Sequence, residues 1–116
     1  MIKTKLHESL ENYLSNKGEF LPYYPGMNIL TTTLYKEQLK EVLKLLEKEN
    51  IENAKSFELY HETIILNMHT KVKKYKQSIY FDNENIKDIE NQGCIIPFYI
   101  DEETNCYILL GLVTSD

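Results

Sequence analysis

The stretch from residue 94 to 113 is the most apolar part of this chain of 116 residues. It consists of two apolar runs, 94–100 and 106–112, joined by five residues, 101–105, that carry three acids. Two apolar runs of strand length around a short polar linker predict a β-hairpin whose side chains build the core. Pro97 cannot donate a ladder hydrogen bond, so it indicates an edge or a bulge at that point.

The rest of the chain alternates between helical and strand-like patterns. Apolar spacing predicts two longer helices, over about 4–17 and 35–49, and a short helix over 84–92. Strand-like runs are predicted at 27–34, 55–61, 63–72 and 76–81.

A chain of this length is expected to form a single domain over 1–116. Short links between strands favour an α+β fold with a small antiparallel sheet of about six strands, flanked by the two longer helices and the short one. Many of the predicted strands carry apolar residues on both faces. We therefore expect a sheet that can curl into a small barrel.

Charge is distributed unevenly. All thirteen basic residues are lysines, and the formal net charge is −5. Residues 63–81 contain four lysines and no carboxylate, whereas residues 82–116 contain one lysine and eight acids. The local reversal of sign predicts an anion-binding surface. Lysine acts as a point charge without the bidentate fork of arginine, so such a surface attracts an anion more readily than it reads a base sequence.

The lysine cluster is predicted to lie on a hairpin that turns near Lys73 and Lys74. Its lysines would attract phosphates while the aromatic rings stack bases, which suits single-stranded RNA. The predicted nucleic-acid-binding residues are His69, Lys71, Lys73, Lys74, Tyr75, Lys76 and Tyr80. The alternative is that these lysines only protect an edge strand from aggregation.

The sequence does not favour catalysis or a metal site. His61 and Glu62, with His69, have the residue types for acid–base chemistry, but a strand would hold the two histidines about 26 Å apart. The two cysteines are not spaced as a zinc site. We therefore expect no enzyme and no cofactor. No apolar run reaches the length of a membrane span, and a cytoplasmic location is expected.

The runs 57–68, FELYHETIILNM, and 96–105, IPFYIDEETN, resemble the PrgU-like proteins of Gram-positive conjugative plasmids, which have a PUA-like fold. The resemblance implies an RNA-associated regulator of gene expression and not an enzyme, and it assigns no site residues. The leading hypothesis is thus an RNA-binding regulator. Two alternatives stay open: an acidic inhibitor of a basic protein, of the immunity or antitoxin type, and a small-molecule pocket inside a barrel.

Overall fold

The computed structural model describes residues 1–24 and 26–114. Within them, three α-helices accompany a six-stranded mixed sheet. The helices are α1 (Ile2–Ser15), α2 (Thr33–Glu49) and α3 (Ile51–Asn67). The strands are β1 (Ile29–Thr31), β2 (Lys76–Gln77), β3 (Ile86–Asn91), β4 (Cys94–Asp101), β5 (Cys106–Leu109) and β6 (Val113–Thr114). In this part of the chain, no helix has the length and apolar character needed to cross a bilayer.

The sheet is open and mixed, with the order β1-β5-β4-β3-β2 and with β6 also paired to β4. Strand β4 is antiparallel to β3, β5 and β6, whereas β1 is parallel to β5. The α+β class is therefore confirmed, but the wholly antiparallel sheet and the barrel are not what forms. Closure would require the two edge strands to pair, and β1 and β2 lie at opposite ends of the sheet.

The C-terminal hairpin confirms the interpretation of Pro97 as a bulge site. Between the β4–β5 pairs and the β4–β6 pairs, the register shifts by one residue. Pro97 accepts a hydrogen bond from Leu110 N at 2.9 Å but has no N–H to return. The extra residue falls at this point. Gly111 lies in the same bulge, and a Cβ there would stand 2.5 Å from Leu6 Cδ2, so the backbone and α1 can approach only because Gly111 has no side chain.

Two apolar clusters cover the two faces of the sheet. On one face, Ile96 and Phe98 of β4 pack with side chains of α2 and α3. On the other face, Ile108 of β5 and Tyr99 of β4 pack with Leu6 of α1. Because successive residues of a strand point to opposite faces, the near-continuous apolar run of β4 contributes side chains to both clusters.

The tip of the hairpin is tied to α1 through Asp101, whose side chain is only 2% exposed. Its Oδ2 accepts a hydrogen bond from Tyr13 Oη at 2.7 Å and lies 3.0 Å from Lys17 Nζ. Its Oδ1 accepts from the Glu103 backbone N–H at 3.1 Å. Burial alone raises the pKa of Asp101, but the hydrogen bonds from Tyr13 and Lys17 outweigh burial and hold the pKa at about 2. The carboxylate thus stays charged inside the fold.

Residues 55–72 do not form the two predicted strands; most of them belong to helix α3. Asn50 caps this helix, since its Oδ1 accepts from Glu52 N at 2.8 Å. Ala54, Phe57, His61 and Ile65 form the buried stripe at helical spacing. The apolar alternation over 64–68 resembled a strand because a residue beside the stripe, Leu66, is also apolar though only partly buried.

The predicted short helix over 84–92 is also wrong, and the predicted strand over 76–81 forms only at its first two residues. Strand β3 occupies Ile86–Asn91, and β2 is confined to Lys76–Gln77. Before β3, Asn83 lies in a local turn in which its Oδ1 accepts from Asn85 N at 2.8 Å. Gln92 and Gly93 have φ of 53° and 75°. Two such residues make the tight turn that joins β3 to β4.

A buried tyrosine–histidine pair joins α2 to α3. The Tyr35 hydroxyl and His61 Nε2 share a hydrogen bond, and the two side chains are 1% and 4% exposed. The Phe57 ring stacks on His61 at 5.8 Å with a 9° interplanar angle. Burial lowers the pKa of His61 to about 4 and raises the pKa of Tyr35. Both groups are therefore neutral at pH 7, and the pair acts as a polar link within the apolar core.

Replacing His61 with Gln is expected to remove most of the acid sensitivity of folding. The pKa of His61 is about 4 in the folded protein and about 6.5 in the unfolded chain. Between those values the unfolded chain binds more protons, so the free energy of unfolding falls as the pH falls. Lowering the pH from about 7.5 to about 5 should cost about 2 kcal/mol through His61. Urea denaturation at both pH values measures this loss.

His69→Gln is the matched control, because His69 is exposed. It should keep the pH dependence of the wild-type protein. An equal loss of stability in His61→Gln and in the wild-type protein would show that His61 is not the responsible group.

Candidate anion-binding surface

The lysine-rich connection between α3 and β2 is built from two 3₁₀ turns, Met68–Thr70 and Val72–Lys74. Lys71 N donates to Met68 O and Lys74 N donates to Lys71 O, both at 2.9 Å. Met68 is fully buried and fixes the start of the connection to the core. Lys71, Lys73 and Lys74 thus lie on consecutive tight turns, and Lys76 begins β2. The predicted two-stranded hairpin is wrong because α3 replaces its first strand.

Four of the predicted residues line one cavity of about 570 Å³. They are His69, Lys71, Lys73 and Lys74, and the remaining lining residues are Thr70, Val72 and Tyr107. We call this the basic cavity. All four predicted residues are exposed, and no carboxylate is found among the described residues that line it. The arrangement offers several ammonium groups to one anionic ligand without competition from a neighbouring acid.

The two predicted tyrosines are directed elsewhere. Tyr75 is half-buried and packs edge-on against Phe98, with ring centroids 5.7 Å apart. Tyr80 belongs to the cluster around α1, and its carbonyl accepts a hydrogen bond from His7 Nε2 at 3.0 Å. Burial raises the pKa of both tyrosines. Neither ring lines the basic cavity, so the predicted seven residues do not form one surface.

Lys76 belongs to a second cavity at the β2 edge of the sheet. It lies directly opposite Asp88 in the antiparallel β2–β3 pair, so the two side chains point to the same face. Lys74 lines both cavities. The cluster that is continuous in sequence is therefore divided between two cavities that meet at Lys74.

Two residues that lie beside the lysine cluster were not predicted from the sequence. Lys87 of β3 is partly buried, and its Nζ donates to the Val72 carbonyl at 3.0 Å, which ties the second turn to the sheet. Tyr107 of β5 also lines the basic cavity, and its ring packs edge-on against Phe98 with centroids 6.2 Å apart. Lys87 is the one lysine after residue 81, and in the sequence this isolated position only weakly indicated a structural role. No local pattern marked Tyr107, since only the sheet order brings it near Lys73.

The arrangement of the histidines gives no support to acid–base chemistry. His61 is buried against Tyr35. Because residues 61–67 are helical, His61 and His69 are about 12 Å apart along the axis. The strand-based distance of about 26 Å was too long, but the helical one is still too great for two groups to act on one bond. Across residues 1–24 and 26–114, no group of three acids, histidines or cysteines could hold a metal ion.

Comparison with protein-family models and with curated proteins found no match for this chain. The functional interpretation therefore depends on the geometry of the two cavities and on their charge.

Replacing Lys87 with Met is expected to loosen the second 3₁₀ turn. The change keeps an unbranched apolar stem but removes the ammonium group, and with it the hydrogen bond to Val72 O. Loss of one charged hydrogen bond should speed amide exchange in residues 72–75 roughly tenfold. Hydrogen–deuterium exchange with peptide-level mass spectrometry measures the effect. Lys76→Met, which removes an exposed lysine nearby, is the control, and equal exchange in both variants would contradict the role of Lys87.

Proposed function

We propose that this protein is a non-enzymatic regulatory protein that binds single-stranded RNA through the basic cavity. The observation that carries the proposal is the convergence of His69, Lys71, Lys73 and Lys74 on a cavity whose described lining contains no carboxylate. In a chain with net charge −5, an uncompensated group of lysines is a local exception. Such a surface attracts a polyanion even though the whole protein repels it.

The composition of the cavity favours a flexible single strand as the ligand. Lysines on tight turns can follow a phosphate backbone, and the half-buried Tyr107 adds an aromatic side chain to the lining of the cavity. A duplex would instead require an element that enters a groove. A concave site with one aromatic ring suits unpaired bases better.

The regulatory part of the proposal comes from the resemblance to the PrgU-like proteins, which implies an RNA-associated regulator of gene expression. The open sheet does not support the barrel of that family. The resemblance therefore contributes the type of ligand and the role, while the lysines of the basic cavity supply the physical means of binding.

The alternative of an acidic inhibitor has weaker support. It depends on the acids of residues 82–116, but Asp88 and Asp101 are 8% and 2% exposed. Asp101 is also paired with Lys17. A basic partner would therefore meet fewer acids on this part of the surface than the sequence suggests.

Replacing Lys71, Lys73 and Lys74 with Gln should abolish most of the affinity for RNA. Each phosphate contact contributes about −0.7 to the slope of log affinity against log salt for a single strand. The triple variant should therefore reduce the magnitude of the slope by about 2. Fluorescence anisotropy with a labelled uridine 12-mer, titrated at several salt concentrations, measures both the affinity and the slope.

The matched control replaces Lys36, Lys40 and Lys44, three exposed lysines on α2, with Gln. It changes the net charge equally but leaves the basic cavity intact. Equal losses in both triple variants would mean that binding follows net charge alone. Failure of the wild-type protein to bind at low salt would overturn the proposed function. A shortened RNA product after incubation would contradict the non-enzymatic role.

A further inference from the structure

The basic cavity has the size of a pocket for one small ligand. Its volume of about 570 Å³ falls within the range of about 300–1,000 Å³ that is usual for small-molecule sites. A terminal nucleotide with its phosphate is a ligand of this size. A strand that passes through a site is usually bound in an extended groove instead.

Two of the lysines that line this cavity are held close together by the backbone. Lys71 precedes the second 3₁₀ turn and Lys74 ends it, and Lys74 N donates to Lys71 O at 2.9 Å. A turn closed by such a bond keeps the two Cα atoms within about 7 Å of each other. Side chains three residues apart in a 3₁₀ turn lie on the same side of it. The ammonium groups of Lys71 and Lys74 are therefore able to converge on one group of the ligand.

A phosphate at the end of a strand fits this concentration of positive charge better than a phosphate within the strand. A phosphodiester carries a single negative charge. A phosphomonoester carries about −1.5 to −2 at pH 7 and has three strong acceptor oxygens. Each of these oxygens can accept a charge-assisted hydrogen bond from a lysine. Because none of the described residues that line the cavity is a carboxylate, no acid in this lining opposes the additional charge.

The cavity at the β2 edge disfavours a strand that continues past Lys74. This second cavity, of about 320 Å³, is lined by Lys74 and Lys76 but also by Asp88 and Glu90. Glu90 is exposed, so a phosphate placed there would be repelled by its carboxylate. The favourable positions for phosphate therefore stop at Lys74, as is expected of a site that holds the end of a strand.

We propose that the basic cavity binds the terminal phosphomonoester of a single-stranded RNA, with Lys71, Lys73 and Lys74 around the phosphate. The sugar and base of the terminal nucleotide then occupy the part of the cavity that is lined by His69 and Tyr107. The inference rests on the proposed function and specifies which part of the RNA is bound. The ligand is a phosphorylated RNA end, and the 5′ and 3′ ends are distinguished by the test.

The test compares three uridine heptamers that are labelled on the central base and differ only at their ends. One carries a 5′-phosphate, one carries a 3′-phosphate, and one has hydroxyl groups at both ends. Fluorescence anisotropy is measured at one salt concentration. The wild-type protein should bind at least one phosphorylated heptamer roughly tenfold more tightly than the hydroxyl heptamer. The end that gives this preference is the end that the cavity accepts.

Two single variants test the role of the turn. Lys71→Gln should reduce the preference to within about threefold, because it removes one of the two ammonium groups that the turn brings together. Lys76→Gln is the matched control, since Lys76 is an exposed lysine of β2 that does not line the basic cavity. It should keep the tenfold preference. Thermal unfolding checks that both variants are folded.

The outcomes separate this proposal from the proposed function. If the wild-type protein binds the three heptamers equally, or if Lys71→Gln keeps the preference, the phosphomonoester site is refuted while RNA binding stands. If both variants lose the preference equally, the preference follows net charge and the site is again refuted. If no heptamer binds, both proposals fail.

Discussion

The central constraint on this fold is that strand β4 is paired on both edges and covered on both faces. It pairs with β3 on one side and with β5 and β6 on the other. Its side chains enter both apolar clusters, with Phe98 in one and Tyr99 in the other. Every other element is placed relative to this strand. The helices cover its two faces, and β1 and β2 complete the sheet at its edges.

Pro97 and Asp101 show how the polar chemistry of the backbone is satisfied around that strand. Pro97 removes one donor from the middle of β4, and the bulge in the neighbouring strand absorbs the mismatch. At the end of the strand, Asp101 is surrounded by donors from Tyr13, Lys17 and the hairpin turn. Because these donors come from α1 as well as from the turn, the same carboxylate both closes the hairpin and fixes the helix on the sheet.

Helices and strands could be predicted from the sequence where the local apolar pattern agrees with the burial in the fold, and were mispredicted where the two differ. The apolar hairpin over 94–112 could be predicted because strands that are buried on both faces are apolar at nearly every position. Helices α1 and α2 were placed to within a few residues. Helix α3 was misread because apolar residues beside its buried stripe imitated alternation. Strand β3 was misread because the inward-facing Asp88 interrupted its apolar pattern, and Ile86 and Ile89 then matched a helical spacing.

The same distinction applies to the candidate site. The lysines could be identified from charge alone, since their clustering is a property of the sequence. Their partners could not be identified in this way. Tyr107 lies 34 positions after Lys73 and Lys87 lies 15 positions after Val72, and only the sheet brings each pair together. The two tyrosines predicted to stack bases pack inward, because an aromatic ring gains more from burial against Phe98 or α1 than from exposure beside lysines.

The absence of arginine has a different consequence once the fold is known. Lysine ammonium groups can hold phosphates, but they do not provide the planar pair of donors with which arginine reads guanine. A protein limited to lysine can still distinguish bases if it supplies acceptors instead, because guanine carries its own paired donors. Asp88 is not displayed as such an acceptor, because it is buried and one of its oxygens already accepts from Ile79 N. Under the proposed function, the lysines of the basic cavity therefore attract a polyanion without strong selectivity for its bases.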